Sequence, residues 1–178
     1  MSPGRFCPCP VASTSTLPAR CLRSDAMTLD EYLSLQGREL GVSRWFDITQ
    51  ERIDAFAEVT EDHQYIHTDP VAAARSPFGG TIAHGFLTVS LLSAMTYDGV
   101  PAIDGTKMSV NYGFNKLRFL SPVKVGSRIR ARFELKSCDT SRPGEITTVT
   151  KVTVEIDGAE KPALIAEWIG RRYLETNE

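Results

Sequence analysis

Between His84 and Tyr97 the chain carries Phe86, Leu87, Val89, Leu91, Leu92, Ala94 and Met95. At 3.6 residues per turn these positions leave no polar face, so the run predicts a helix buried on all sides rather than one lying on a surface. Asp98-Gly99-Val100-Pro101 ends it. Such a helix needs a wrapping layer, and the C-terminal half supplies one. There the period changes to two: 108–114, 115–120, 128–136, 146–156 and 163–173 are rich in β-branched and aromatic residues. The segment Thr147 to Ile156, TTVTKVTVEI, alternates almost strictly. Turns fall at 121–126, at Ser141-Arg142-Pro143-Gly144 and at Asp157-Gly158, the last a hairpin signal. The expected architecture is an α+β domain in which a curved antiparallel sheet wraps one long central helix.

Shorter elements precede that helix. Thr28 followed by Glu31 is a capping box opening a short amphipathic helix that stops near Gly37. Residues 42–48 read as a strand, and Thr49 caps a helix over 50–59. Residues 62–68 read as irregular and polar. Asp69-Pro70 then starts a short helix, with proline at its first position.

At 178 residues the length suits one domain. Residues 27–178 form it, and 1–26, rich in Pro, Ser and Thr, read as a disordered or peripheral extension. Cys7, Cys9 and Cys21 lie in that extension without zinc-site spacing, and Cys138 stands alone in the folded part. The lone thiol and the absence of any 18-residue apolar run point to a cytoplasmic protein that does not span a membrane. A net charge of −2 gives no general attraction for nucleic acid.

Asp62 and His67 sit five residues apart in the polar segment, a carboxylate and an imidazole suited to moving protons near neutral pH. Spacing alone equally allows a capping Asp and a loop His satisfied by backbone, and leaves His63 as a competitor. His84-Gly85 opens the apolar helix, where unpaired N–H groups carry positive partial charge and a glycine admits close approach. Tight packing of Gly85 and a core role for His84 are the plain alternatives. Ser90 and Ser93 lie within the helix, where a hydroxyl ordinarily bonds back to an upstream carbonyl. Neither a nucleophile elbow nor an H-x-x-x-H or C-x-x-C pair is present, so no metal is expected. Lys107, Lys116, Arg118, Lys124, Arg128, Arg130 and Arg132 cluster. The alternating Arg128, Arg130 and Arg132 share one strand face, which is either a phosphate site or a solvated surface.

Four motifs, taken together, resemble one family. They are DHQYIHTDP at 62–70, FGGTIAHGFL at 78–87, NYGFNKLRF at 111–119 and PVKVGSRIR at 122–130. The chain is similar, over roughly residues 28 to 174, to the MaoC-like R-specific 2-enoyl-CoA hydratases, and more narrowly to the nodulation-protein-N-like branch. The resemblance implies a hot-dog fold and a homodimer. It implies that Asp62 and His67 activate a water that adds syn across a trans-2-enoyl thioester, with the thioester carbonyl polarised by the N–H of Gly85. It places Ser93 where the family has a serine that orients the carboxylate, and the candidate substrate-binding residues are Ser93, His84, Asn115, Lys116, Arg118 and Arg128. The acyl-CoA thioester is the expected partner molecule, and no cofactor is implied. Gln64-Tyr65 stands where many relatives carry Asn-Pro, a mark of the branch. A thioesterase and a non-catalytic acyl-thioester binder are the alternatives. The first is disfavoured because 84–97 holds no Asp or Glu.

Overall fold

A computed structural model gives the structure over residues 26–175. The expectations for Cys7, Cys9 and Cys21, and for nearly all of the N-terminal extension, fall outside the described residues. The capping box forms as expected: Thr28 Oγ1 accepts from the N–H of Glu31 at 3.2 Å, and the Glu31 carboxylate accepts from the N–H of Thr28 at 2.8 Å. It opens helix α1, Leu29–Ser34. Thr49 likewise accepts from Arg52 at the start of α2, Gln50–Thr60, and Asp69 caps α4, Pro70–Ala73.

Two local expectations are corrected. Residues 42–48 do not form one strand but split into β1, Glu39–Val42, and β2, Phe46–Asp47. Ser43 interrupts the run, because its hydroxyl accepts from the N–H of Ala131 at 3.0 Å while its own N–H donates to the Ala131 carbonyl at 2.9 Å. The segment read as irregular contains a single helical turn, α3, Tyr65–Thr68. One turn is too short to show a period in sequence.

The central helix is also revised. It runs as α5, Gly85–Ser90, and α6, Leu92–Gly99, joined through a helical Leu91. The bonds Leu91 N to Leu87 O and Met95 N to Leu91 O carry the helix across the junction. Ser90 and Thr96 bond back to Phe86 O and Leu92 O, a habit that loosens helices locally. Burial is one-sided: Leu87, Leu92 and Met95 are buried, while Phe86 is 67% and Tyr97 81% exposed.

The sheet wraps the buried side. Its strands are β3 (Thr106–Phe119), β4 (Arg128–Asp139), β5 (Glu145–Ile156) and β6 (Leu164–Leu174), ordered β1-β4-β5-β6-β3, with β2 also on β4. All these pairings are antiparallel. The two runs expected at 108–114 and 115–120 are one strand, β3, carried past the join by register shifts. Alternation sends Ile129, Ala131, Phe133 and Leu135 inward, with Ile146, Val152 and Val154 from β5. Arg128, Arg130 and Arg132 face the other way.

Gly41 and Gly99 hold the helix end against β1. A Cβ on Gly99 would lie 2.6 Å from the N of Ser43, and one on Gly41 would lie 2.1 Å from the Gly99 carbonyl. The helix therefore ends where two backbones touch. Met95 is fully buried beneath the sheet. Met95→Ala should cost about 2–5 kcal/mol. Val59→Ala, at a position 79% exposed, should stay within about 0.5 kcal/mol. Urea unfolding midpoints of the two variants check this.

Candidate active site

Two segments meet to make the site. The first follows α2. Glu61 caps that helix in the left-handed region, φ 59°, and turns the chain sharply into Asp62. The turn of α3 then swings His67 inward to 7% exposure while Asp62 stays exposed. The second segment returns after α4 at Thr81 to Gly85. The N–H of Ile82 donates to the Ile66 carbonyl at 3.0 Å, and that of Ala83 to Val123 at 2.7 Å.

Two imidazole bonds join the segments. His67 Nδ1 lies 2.6 Å from the Ile82 carbonyl, and His84 Nε2 lies 2.9 Å from the Asp62 carbonyl. A carbonyl can only accept, so each of these nitrogens carries the proton. His67 is thereby left with a bare Nε2. The rings stack, 3.8 Å between centres with planes 27° apart, and Phe56 packs on His84 at 5.1 Å. Burial pushes the His67 imidazole below its ordinary value. The Ile82 bond opposes that shift, neighbouring His84 adds to it, and Asp62 opposes it.

Gln50 is a participant that sequence reasoning missed. Its amide nitrogen donates to the His67 carbonyl at 2.8 Å, and its oxygen accepts from Thr81 Oγ1 at 2.6 Å. One side chain thus spans both segments from the first turn of α2. A glutamine at the start of a helix carries no signal of this in sequence.

Gly85 is the first residue of α5, with an N–H that has no intrahelical partner. The Phe119 ring lies against it, so that an added Cβ would sit 2.9 Å from Cε1. Beside them is a cavity of about 410 Å³. It is bounded by His67 and Gly85 on one side and by Phe78, Phe86, Phe119, Leu120, Val123 and Ala163 on the others. Asp62, His67, His84 and Gly85 are therefore brought together.

Other predicted positions lie apart. Ser93 is two helical turns beyond Gly85 and accepts from Asn111 Nδ2 at 3.3 Å. Asn115, Lys116 and Arg118 are exposed on β3, running up to Phe119. Arg128 is paired with Asp157 at 2.5 Å, and Arg130 and Arg132 both hold Glu155 at 2.7 Å. These charges are already met, which favours the solvated-face reading of that strand. His63 lies at the surface, 3.7 Å from Glu58.

Asp62, His67 and His84 each offer an atom within 4.8 Å of the others, a grouping that spacing did not anticipate. Its two imidazoles stack face to face, 3.8 Å between centres with planes 27° apart, an arrangement unlike the tetrahedral spread of ligands in a structural zinc site.

The chain is similar to known proteins in sequence and in fold. Residues 33–157 match the family described as MaoC like domain. The chain is 51% identical over 144 residues to Nodulation protein N of Rhizobium meliloti (strain 1021), covering 80% of this chain and 89% of the relative. It is 46% identical over 135 residues to 3-hydroxyacyl-thioester dehydratase Z of Mycobacterium tuberculosis, covering 76% and 89%. Among solved structures it is similar to the (R)-hydratase from A. caviae involved in PHA biosynthesis, with a TM-score of 0.63 and 26% identity, covering 76% of this chain and 94% of the other. The wrapped helix is the hot-dog fold, and the chain belongs to the MaoC-like dehydratase family, with relatives that are named hydratases and dehydratases.

Proposed function

We propose that the protein hydrates a trans-2-enoyl-CoA to the (3R)-3-hydroxyacyl-CoA and catalyses the reverse dehydration. The observation that carries this reading is the convergence of Asp62, a neutral His67 and the N–H of Gly85 beside an apolar cavity. With Nδ1 committed to Ile82, His67 offers Nε2 as a proton acceptor, and Asp62 offers its carboxylate. A water held between them loses a proton to the pair as its oxygen bonds to C3. Charge moves to the thioester oxygen as an enolate, which the Gly85 N–H receives at the start of a helical rod running to Gly99. The pair returns a proton to C2. Proton transfer and oxyanion stabilisation suffice, so the reading calls on no metal or redox cofactor.

The acyl chain is assigned to the cavity walled by Phe78, Phe86 and Phe119. Lys116 and Arg118, next to Phe119 on an exposed strand, are assigned to the phosphate end of CoA ahead of Arg128, with Asn115 between the two ends. Ser93 is assigned a supporting role through Asn111.

A second copy is the proposed partner. Strand β3 is hydrogen-bonded to β6 on one side and forms an edge of the sheet on the other. It exposes Met108, Val110, Tyr112 and Phe114, while the helix exposes Phe86 and Tyr97. A long apolar edge of this kind is an aggregation hazard unless covered. No described helix is long and apolar enough to cross a membrane. We place the enzyme in the cytoplasm, where Cys138, its thiol pushed up by burial, stays reduced.

With crotonyl-CoA as substrate and absorbance of the enoyl thioester as readout, Asp62→Asn and His67→Gln should each lower kcat by about two to four powers of ten with circular dichroism unchanged. A rate near wild type removes the residue from the mechanism. Thiol release in place of hydration would make the protein a thioesterase. In the same assay, Lys116→Ala with Arg118→Ala should raise KM, and Arg128→Ala should leave it alone; a raised KM for Arg128→Ala reverses the assignment.

Sedimentation velocity at micromolar concentration should give the mass of two chains. Val110→Glu with Tyr112→Glu should give one, and a wild-type monomer sinks the pairing.

His67 also predicts how stability depends on pH. Its folded value lies below the ordinary 6.5, so the unfolded chain binds the proton more readily. Its contribution is present above about pH 6.5 and is lost as pH falls toward the folded value. The melting-temperature advantage of wild type over His67→Gln should shrink on acidification through that window. A constant difference from about pH 8 to pH 5 contradicts the neutral imidazole.

A further inference from the structure

The fold treats the two ring nitrogens of His84 very differently. Nε2 donates to the Asp62 carbonyl, while Nδ1 is buried without a hydrogen-bond partner in a side chain only 3% exposed. Buried polar atoms are nearly always paired, and an exception calls for a reason. Helix capping is not the reason. His84 occupies the N-cap of α5, yet its side chain makes no cap bond there. Nor are both of its nitrogens paired, as they would be in an ordinary core imidazole.

The contacts His84 does make all lead to the two proposed acid/base groups. The Asp62 side chain has little of its own to hold it. It is exposed, and its carboxylate has a contact of 3.5 Å from the N–H of Gln64, at the outer limit for a hydrogen bond. The backbone bond from His84 is the firm restraint, and it acts on the residue just after the left-handed Glu61. One face of the His84 ring stacks on His67 at 3.8 Å, and Phe56 from α2 closes on the ring at 5.1 Å. The charged or titratable groups facing His84 are thus Asp62, from the loop after α2, and His67, from α3.

We infer that His84 is a positioning residue that holds the Asp62 main chain and the His67 ring in mutual register through one N–H and one stacked face. This rests on the hydratase reading above. The neighbouring imidazole also opposes a positive charge on His67, after burial, which is the larger influence. Register between acid/base groups is worth a great deal, since a displacement of about 1 Å can cost on the order of a hundredfold in rate.

Two variants separate the contacts. His84→Phe keeps a stacking ring and loses the donor. His84→Gln keeps a donor near the Nε2 position and loses the ring. His84→Phe should lower kcat by roughly a hundredfold with KM within about twofold, and His84→Gln should recover about tenfold of that loss. In both, the low-pH limb of kcat should move to higher pH, because one opponent of the His67 charge is gone. Wild-type kcat in His84→Phe overturns the inference. So does a loss of rate that merely tracks loss of folded protein, with superimposable pH profiles.

A third measurement needs no variant. The chain has three histidines, so ¹⁵N imidazole spectra of the wild-type protein are readily assigned. They should show His84 as the Nε2–H tautomer and His67 as the Nδ1–H tautomer. The opposite tautomer at His84 in an active enzyme sinks the inference. Inactivity of the wild-type protein on every enoyl thioester sinks the hydratase reading instead.

Discussion

The site depends on backbone carbonyls that can only accept. Ile82 O decides which nitrogen of His67 bears a proton, and Asp62 O decides the same for His84. These bonds span fifteen and twenty-two residues of sequence, so they are made only when α3 and the start of α5 are pressed together. Gln50 reinforces the same seam by bonding His67 and Thr81 at once. Chemical state and tertiary contact are thus one event. A separation of the two segments would also free both tautomers.

The electrostatics of this seam are consistent in sign. Burial lowers the affinity of His67 for a proton. A helix N-terminus a few residues away carries positive partial charge and likewise disfavours a cation. Both influences favour a neutral imidazole with a free lone pair, and the helix N-terminus also favours negative charge on a bound ligand. Formal positive charge is spent elsewhere. On β4, Arg128, Arg130 and Arg132 are held by Asp157, Glu155 and Glu39, with Trp45 lying under Arg130 at 4.5 Å. That face is a charge lattice turned to solvent, of a kind that contributes little to stability pair by pair.

What was legible in sequence followed from repetition and from short-range chemistry. The alternation of β4 and β5, the capping box at Thr28 and the proline-led turn at Asp69 each announce themselves within a few residues, and each forms. The pairing of Asp62 and His67 with His84 and Gly85 was legible only as four linked motifs, because spacing alone left each residue a bland reading. The ring stack, the two tautomers and the role of Gln50 were not legible, since they arise from contacts between segments that sequence order does not place together. The Arg128 strand shows the opposite case. Its alternation was visible, but the acidic partners at 39, 155 and 157 come from β1, from β5 and from just beyond it. The division of the helix at Leu91 likewise falls beside hydroxyls that bond back to the helix, Ser90 and Thr96, which a count of apolar residues overlooks.

The apolar circumference of the central helix retains its meaning once burial is seen to be one-sided. The sheet covers Leu87, Leu92 and Met95, and the proposed second copy accounts for the side with Phe86 and Tyr97. The helix also runs further than sequence suggested, to Gly99, and so includes Asp98. That carboxylate revives the thioesterase alternative only if it can reach a substrate held at Gly85. Thirteen residues of helix separate the two by about 20 Å. The Asp98 side chain is 8% exposed, and it is engaged by the N–H and guanidinium of Arg44. It ties the far end of the helix to the loop between β1 and β2, beside the glycines that let those backbones touch. A carboxylate so placed anchors the helix, and the proposed acid/base work at its other end stays with Asp62 and His67.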